Sequence, residues 1–136
     1  MTRMKHEWPT LVALDPTMTV TWWHDSLGEE HGHAVASAYT ERFWLPVIGP
    51  SALWLARRLV ERIDQDVDMA GLAAAVGLHA GLAANGPMTK AIYRLIHFGF
   101  ARRAGDVLDV RTHVDRVPHR LLARCPELQR EAAGAA

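Results

Sequence analysis

The stretch Leu72-Ala73-Ala74-Ala75-Val76-Gly77-Leu78, with nine residues separating Gly77 from Pro87, sets the reading of the whole chain. Met69, Leu72, Ala73 and Val76 lie at offsets 0, 3, 4 and 7, one face of a helix. Asp68 stands where an N-cap belongs, and Gly77 where a left-handed stop is expected. Upstream, Ala52, Leu55, Ala56, Leu59 and Ile63 share a second helical face over residues 51–65, opposite Arg57, Arg58, Glu61 and Arg62. Gln65-Asp66-Val67-Asp68 reads as the turn between the two helices. Downstream, Pro87 opens a third helix with Ala91, Ile92, Leu95 and Ile96 inward and Gly99 at its end. Next come Phe100 to Ala104, the Gly105-Asp106 corner, and Val107 to Val114. There Leu108, Val110, Thr112 and Val114 alternate with Asp109, Arg111 and His113, the pattern of a β-hairpin.

Toward the N-terminus the signals are weaker. Residues 1–14 read as an arm. Asp15-Pro16 and Leu27-Gly28 bracket an expected helix, with Asp as N-cap, Pro at N1 and a closing Gly, although Thr17, Thr19, Val20 and Thr21 are β-branched. Glu29 to His33 is a polar connection, and Ala34, Val35, Ala38, Tyr39 and Phe43 predict a second helix to Trp44. Leu45-Pro46-Val47-Ile48-Gly49-Pro50 is expected to break it. A short helix around Leu121-Leu122 is predicted in the C-terminal tail.

Three helices followed by a two-stranded hairpin, with Ala73 and Gly77 four residues apart, resemble the winged helix-turn-helix family over residues 51–114. Phe43-Trp44-Leu45-Pro46-Val47-Ile48-Gly49-Pro50 and Trp22-Trp23-His24-Asp25 are similar to segments of small actinobacterial winged-helix proteins. The resemblance implies a mainly α fold with a small β-hairpin: a winged helix-turn-helix with extra N-terminal and C-terminal helices. The organisation expected is a 1–50 arm and helical extension, a 51–114 module and a 115–136 helical tail. The nine-residue connection from Gly77 to Pro87 departs from the family, whose turns take about 3–4 residues.

The resemblance assigns Thr89 to Arg102 to a recognition helix running into the first wing strand. With Ala91, Ile92 and Leu95 inward, Thr89, Lys90, Tyr93, Arg94 and His97 are expected outward, where a major-groove helix meets base edges. Arg94 can bond bidentately to guanine, while Lys90 acts as a point charge. Arg102, Arg103 and Arg111 flank the hairpin and are assigned to phosphates. Net charge is zero, but residues 85–124 hold eight Lys+Arg against three Asp+Glu. Six neutralised phosphates would make log affinity fall with log salt at a slope of about −5. Arg116, Arg120 and Arg124 recur every four residues, as either a further phosphate track or a solvated face.

Other classes find less support. No run of apolar residues is long enough to span a bilayer, and the N-terminus lacks the apolar core of a secretory signal, so a cytoplasmic protein is expected. Cys125 is the single cysteine, which excludes an internal disulfide. No GxSxG, P-loop or GxGxxG sequence is present, and no enzyme activity or cofactor is expected. His24, His31 and His33, beside Asp25, Glu29 and Glu30, are rich in metal-ligating types but lack a fixed helical pair, so no metal is assigned. All five tryptophans fall at positions 8, 22, 23, 44 and 54. They either pack the N-terminal helices onto the module or form a homodimer interface. The expected partner is double-stranded DNA, bound by a homodimeric transcriptional regulator; the alternative is a protein-interaction module that keeps the scaffold without binding DNA.

Overall fold

The computed structural model describes residues 9–79 and 81–122. Thr17–Trp22 is a β-strand, β1, and not the helix expected from Asp15 to Gly28. Its sequence, Thr-Met-Thr-Val-Thr-Trp, alternates with period two: Met18 and Val20 are fully buried while the threonines face the other way. Four β-branched residues in six stiffen the backbone toward extended geometry, and this outweighs the Asp-Pro start signal. The helix that does follow, α1 (Ser26–His31), takes up the segment expected as a polar connection, capped by the Asp25 side chain on the Gly28 N–H.

After the short strand β2 (His33–Ala34), a π-helical turn at Thr40–Trp44 runs directly into α2 (Leu45–Ile48). The break expected within residues 45–50 falls at Gly49 and not at Pro46. Pro46 occupies the first turn of α2, where a missing N–H costs nothing, and the stop comes at Gly49 with φ 85. Helix α3 (Pro50–Val60) buries Ala52, Leu55, Ala56 and Leu59 as the spacing predicts. Gln65–Asp68, expected as a turn, is strand β3, and α4 (Met69–Ala75) leads from it. Asp68 holds the N-cap position of α4 without a side-chain cap bond. Helix α5 (Pro87–His97), strand β4 (Ala101–Ala104) and strand β5 (Val107–Val110) follow, with Gly105 at φ 61 in the corner. Strand β6 (His113–Val114) pairs with β2, and α6 (His119–Leu122) ends the described chain.

The fold is therefore mixed α/β, which corrects the expectation of a mainly α winged helix-turn-helix with a small hairpin. Four strands form one sheet in the order β3-β1-β5-β4. Strand β1 lies antiparallel to β3 and parallel to β5, so a segment from the N-terminal region stands in the middle of a sheet whose other strands come from residues 65–110. Residues 17–22 and 65–110 share one sheet and one core. Met18, Val20, Val67, Leu108 and Val110 form the inner face of that sheet, and α3 and α5 pack against it. Full burial of such side chains contributes roughly 1.5–3 kcal/mol each.

Candidate nucleic-acid interface

Helix α5 carries the residues that the sequence placed at DNA, and its solvent face is narrow. Met88, Thr89, Ala91, Ile92, Tyr93 and Leu95 are all buried, leaving Pro87, Lys90 and Arg94 exposed and His97 half-buried. The expectation that Thr89 and Tyr93 point outward is thus corrected. The Thr89 hydroxyl donates to the Leu82 carbonyl at 3.2 Å. That carbonyl also accepts the Leu14 N–H at 3.0 Å, so the long connection before α5 is tied to the segment entering β1. Two elements that the sequence treats separately are locked at one oxygen.

Tyr93 is buried, with its hydroxyl in reach of Arg103. The Arg103 guanidinium donates to the Tyr93 hydroxyl at 3.2 Å, to the carbonyls of Val12 and Ala13 at 3.0 Å each, and to Gly105 at 2.8 Å. Its side chain is 10% exposed, with the Asp15 carboxylate 3.9 Å away. A guanidinium with four of its five N–H donors taken by oxygens of its own chain is a structural clamp and is poorly placed to hold a phosphate.

Arg111 is used in the same way. It ion-pairs with the Asp25 carboxylate, donates to the Gly99 carbonyl at 3.2 Å, and lies over the Trp23 ring at 4.8 Å. One side chain thereby joins the exit of β5, the corner after α5 and the N-cap of α1.

Arg102 is exposed but sits on the other side of the sheet. In β4 it stands opposite Asp109, whereas Arg103 stands opposite the buried Leu108 and contacts α5 through Tyr93. Alternation therefore turns Arg102 away from α5. It bonds Asp109 at 2.9 Å and stacks over Trp23 at 4.4 Å, while Asp109 also accepts from the Thr21 hydroxyl. The Thr21 hydrogen bond is the first cause that holds the Asp109 carboxyl below its ordinary value, despite burial acting the other way; Arg102 adds to it.

His97 stands edge-on to Phe98 at 4.8 Å, and burial pushes its pKa below the usual value. Of the eight predicted contact residues, the structure leaves Lys90 and Arg94 exposed on one face of α5. They lie one turn apart, with one Arg94 nitrogen 3.4 Å from the Ile48 carbonyl. The sequence carries no Asp or Glu from Met69 to Gly105, so no acid of α4, α5 or their connection offsets them.

The histidines of the polar cluster diverge. His24 lies 3.4 Å from Glu29, His31 lies 3.9 Å from Glu30, and His33 stacks on Tyr39 at 3.7 Å between ring centres. Among the described residues no group of three or more such side chains is placed to hold a metal ion. No helix of those residues is long and apolar enough to cross a membrane.

Trp44 is buried with its indole N–H on the Asp115 carbonyl at 2.8 Å, and Trp23 lies under two arginines. Trp54 is different: it is 53% exposed on α3 beside a cleft of about 360 Å³. The sequence reading groups it with the other tryptophans, although a signal sets it apart. Trp54 falls outside the apolar face formed by Ala52, Leu55, Ala56 and Leu59, an odd place for the largest side chain. Cys125, Arg124 and Trp8 lie outside the described residues.

No family model matches the chain, and comparisons with curated proteins and with solved structures also find no match.

Proposed function

We propose that this chain is a non-enzymatic, cytoplasmic DNA-binding protein whose contact element is the exposed edge of α5. The observation that carries the reading is the pairing of Lys90 and Arg94 one turn apart, solvent-facing, within a stretch free of acidic residues. Such a stripe attracts phosphates through local potential even when net charge is zero. The contact set is smaller than the eight residues of the sequence reading. Two phosphates per chain correspond to a slope of log affinity on log salt of about −2, in place of about −5. Binding by one chain is weak and salt-sensitive, and a regulatory role requires two chains acting together.

Fluorescence anisotropy on a labelled duplex, measured across a salt series at low ionic strength, tests this. The expected result is a shallow slope and loss of binding in Lys90→Ala/Arg94→Ala, with Arg102→Ala nearly unchanged. Binding that survives the double substitution overturns the assignment to α5.

A second reading, a protein-interaction module that binds no DNA, is favoured by the internal use of Arg103 and Arg111 and by the exposed Trp54. Absence of any anisotropy change at low salt would select it.

A further inference from the structure

Helix α3 carries a stripe that the other described residues leave uncovered. Trp54, Arg57, Arg58 and Glu61 lie at offsets 0, 3, 4 and 7, so they share one helical face. All four line the cleft of about 360 Å³, whose opposite wall includes Ala34, Val35 and His113. Arg57 belongs to the fold: it donates to the carbonyls of Val35 at 3.2 Å and Ser37 at 3.5 Å and pairs with Glu41 at 3.2 Å. Its guanidinium also sits 5.6 Å from the Trp54 ring centre, which braces the indole in its outward position. The side chains of Arg58 and Glu61 make no hydrogen bond or ion pair among the described residues. The face therefore presents a protruding indole, a hollow beside it, one open cation and one open anion.

We infer that this face docks a second copy of the same chain through a two-fold interface. A two-fold interface must be self-complementary: what protrudes from one copy must fit a recess on the other, and the same patch must supply both. Trp54 and the adjoining cleft meet the shape condition. Arg58 and Glu61 meet the charge condition, because antiparallel α3 helices crossing near residues 59 and 60 set Arg58 of each copy against Glu61 of the other. A face with only cations or only anions would repel itself; this one does not. Zero net charge removes the long-range repulsion that two like-charged copies would feel. Aromatic anchors with a charged rim are the common composition of hot spots. With one aromatic anchor per copy, a micromolar dimer is expected. This inference does not rest on DNA binding, although a dimer would double the Lys90 and Arg94 pairs available to a duplex.

Sedimentation velocity of the full chain without DNA, from a few micromolar to several hundred micromolar, tests the proposal. The expected result is a monomer–dimer equilibrium weakened at least tenfold by Trp54→Ala, whose exposed site leaves the circular dichroism spectrum unchanged. Arg58→Glu and Glu61→Arg should each weaken self-association, and mixing these two variants should restore it. Either variant alone sets like charges against each other across the interface, whereas the mixed pair sets the two carboxylates of one variant against the two guanidiniums of the other. A chain that remains monomeric over the whole range, a dimer indifferent to Trp54→Ala, or variants that fail to rescue each other would overturn it. DNA binding by a strict monomer would sink the dimer and leave the α5 reading standing; a Trp54-dependent dimer that binds no DNA would do the reverse.

Discussion

Arg103 Nη1 donates to the carbonyl oxygen of Val12 at 3.0 Å across 91 residues of sequence, which ties the segment entering β1 to the hairpin strand β4. The neighbouring nitrogen holds Ala13 in the same way. A side chain assigned from the sequence to phosphate binding thus fastens the segment before β1 to the sheet.

Arg103→Ala should destabilise the fold by about 1.5–3 kcal/mol, the range for hydrogen bonds to a charged group, measured by urea denaturation. Arg103→Lys should recover only part of that loss, because an ammonium cannot span two adjacent carbonyls as the planar guanidinium does. Equal stability of the alanine variant and the parent would show that the clamp is not formed in solution.

Replacing Arg111 by Gln leaves Asp25 without its ion-pair partner and Gly99 without its donor. Breaking one side of a buried pair typically costs about 3–5 kcal/mol; since Asp25 keeps 27% of its side-chain exposure, about 2–3 kcal/mol is expected here. Substituting both Arg111 and Asp25 by apolar residues of similar size should cost less than the Arg111 change alone, and a double-mutant cycle reads this directly.

Strand β1 bonds β3 on one side and β5 on the other, so it is structural in the strongest sense. A chain beginning at residue 25 should fail to fold, seen as loss of cooperative thermal unfolding and of dispersed amide resonances. Met18→Ala, at a fully buried position, should cost about 2–5 kcal/mol. If residues 51–114 alone proved a stable, folded unit, the central placement of β1 would be refuted.

The pH dependence has a definite sign. His33 is held below its ordinary value of 6.5 first by burial and then by Arg116, and His97 by burial. Both therefore bind fewer protons folded than unfolded once pH drops below about 6.5. Stability should be level above that point and fall as pH is lowered through about 6 toward 5. His33→Gln should flatten this fall when unfolding is followed at about pH 7.5 and 5.5. Asp109 acts lower: its depressed carboxyl contributes stability above its ordinary value of 3.8, and that contribution is lost on further acidification. A fall in stability on raising the pH from about 5.5 to 7.5 would contradict the histidine assignment.

Much of the architecture is legible in the residues themselves. Helical spacing locates α3, α4 and α5, Gly77 and Gly99 mark the stops of α4 and α5, and Gly105-Asp106 marks the hairpin corner, because each signal is local and read within one or two turns of chain. The Thr-Met-Thr-Val-Thr-Trp alternation is also present at positions 17–22, but a competing Asp-Pro start and Leu-Gly stop favour a helix there. Partners for a strand are needed to decide between them. Only the tertiary structure supplies β3 and β5 on its two sides, 47 residues away at Asp66 and 88 at Asp109 by the Thr19 and Thr21 side-chain bonds. The fate of the arginines is likewise non-local. Position and charge are properties of sequence, whereas the carbonyls and carboxylates that take up Arg103 and Arg111 come from segments far along the chain, and only folding brings them within hydrogen-bonding distance.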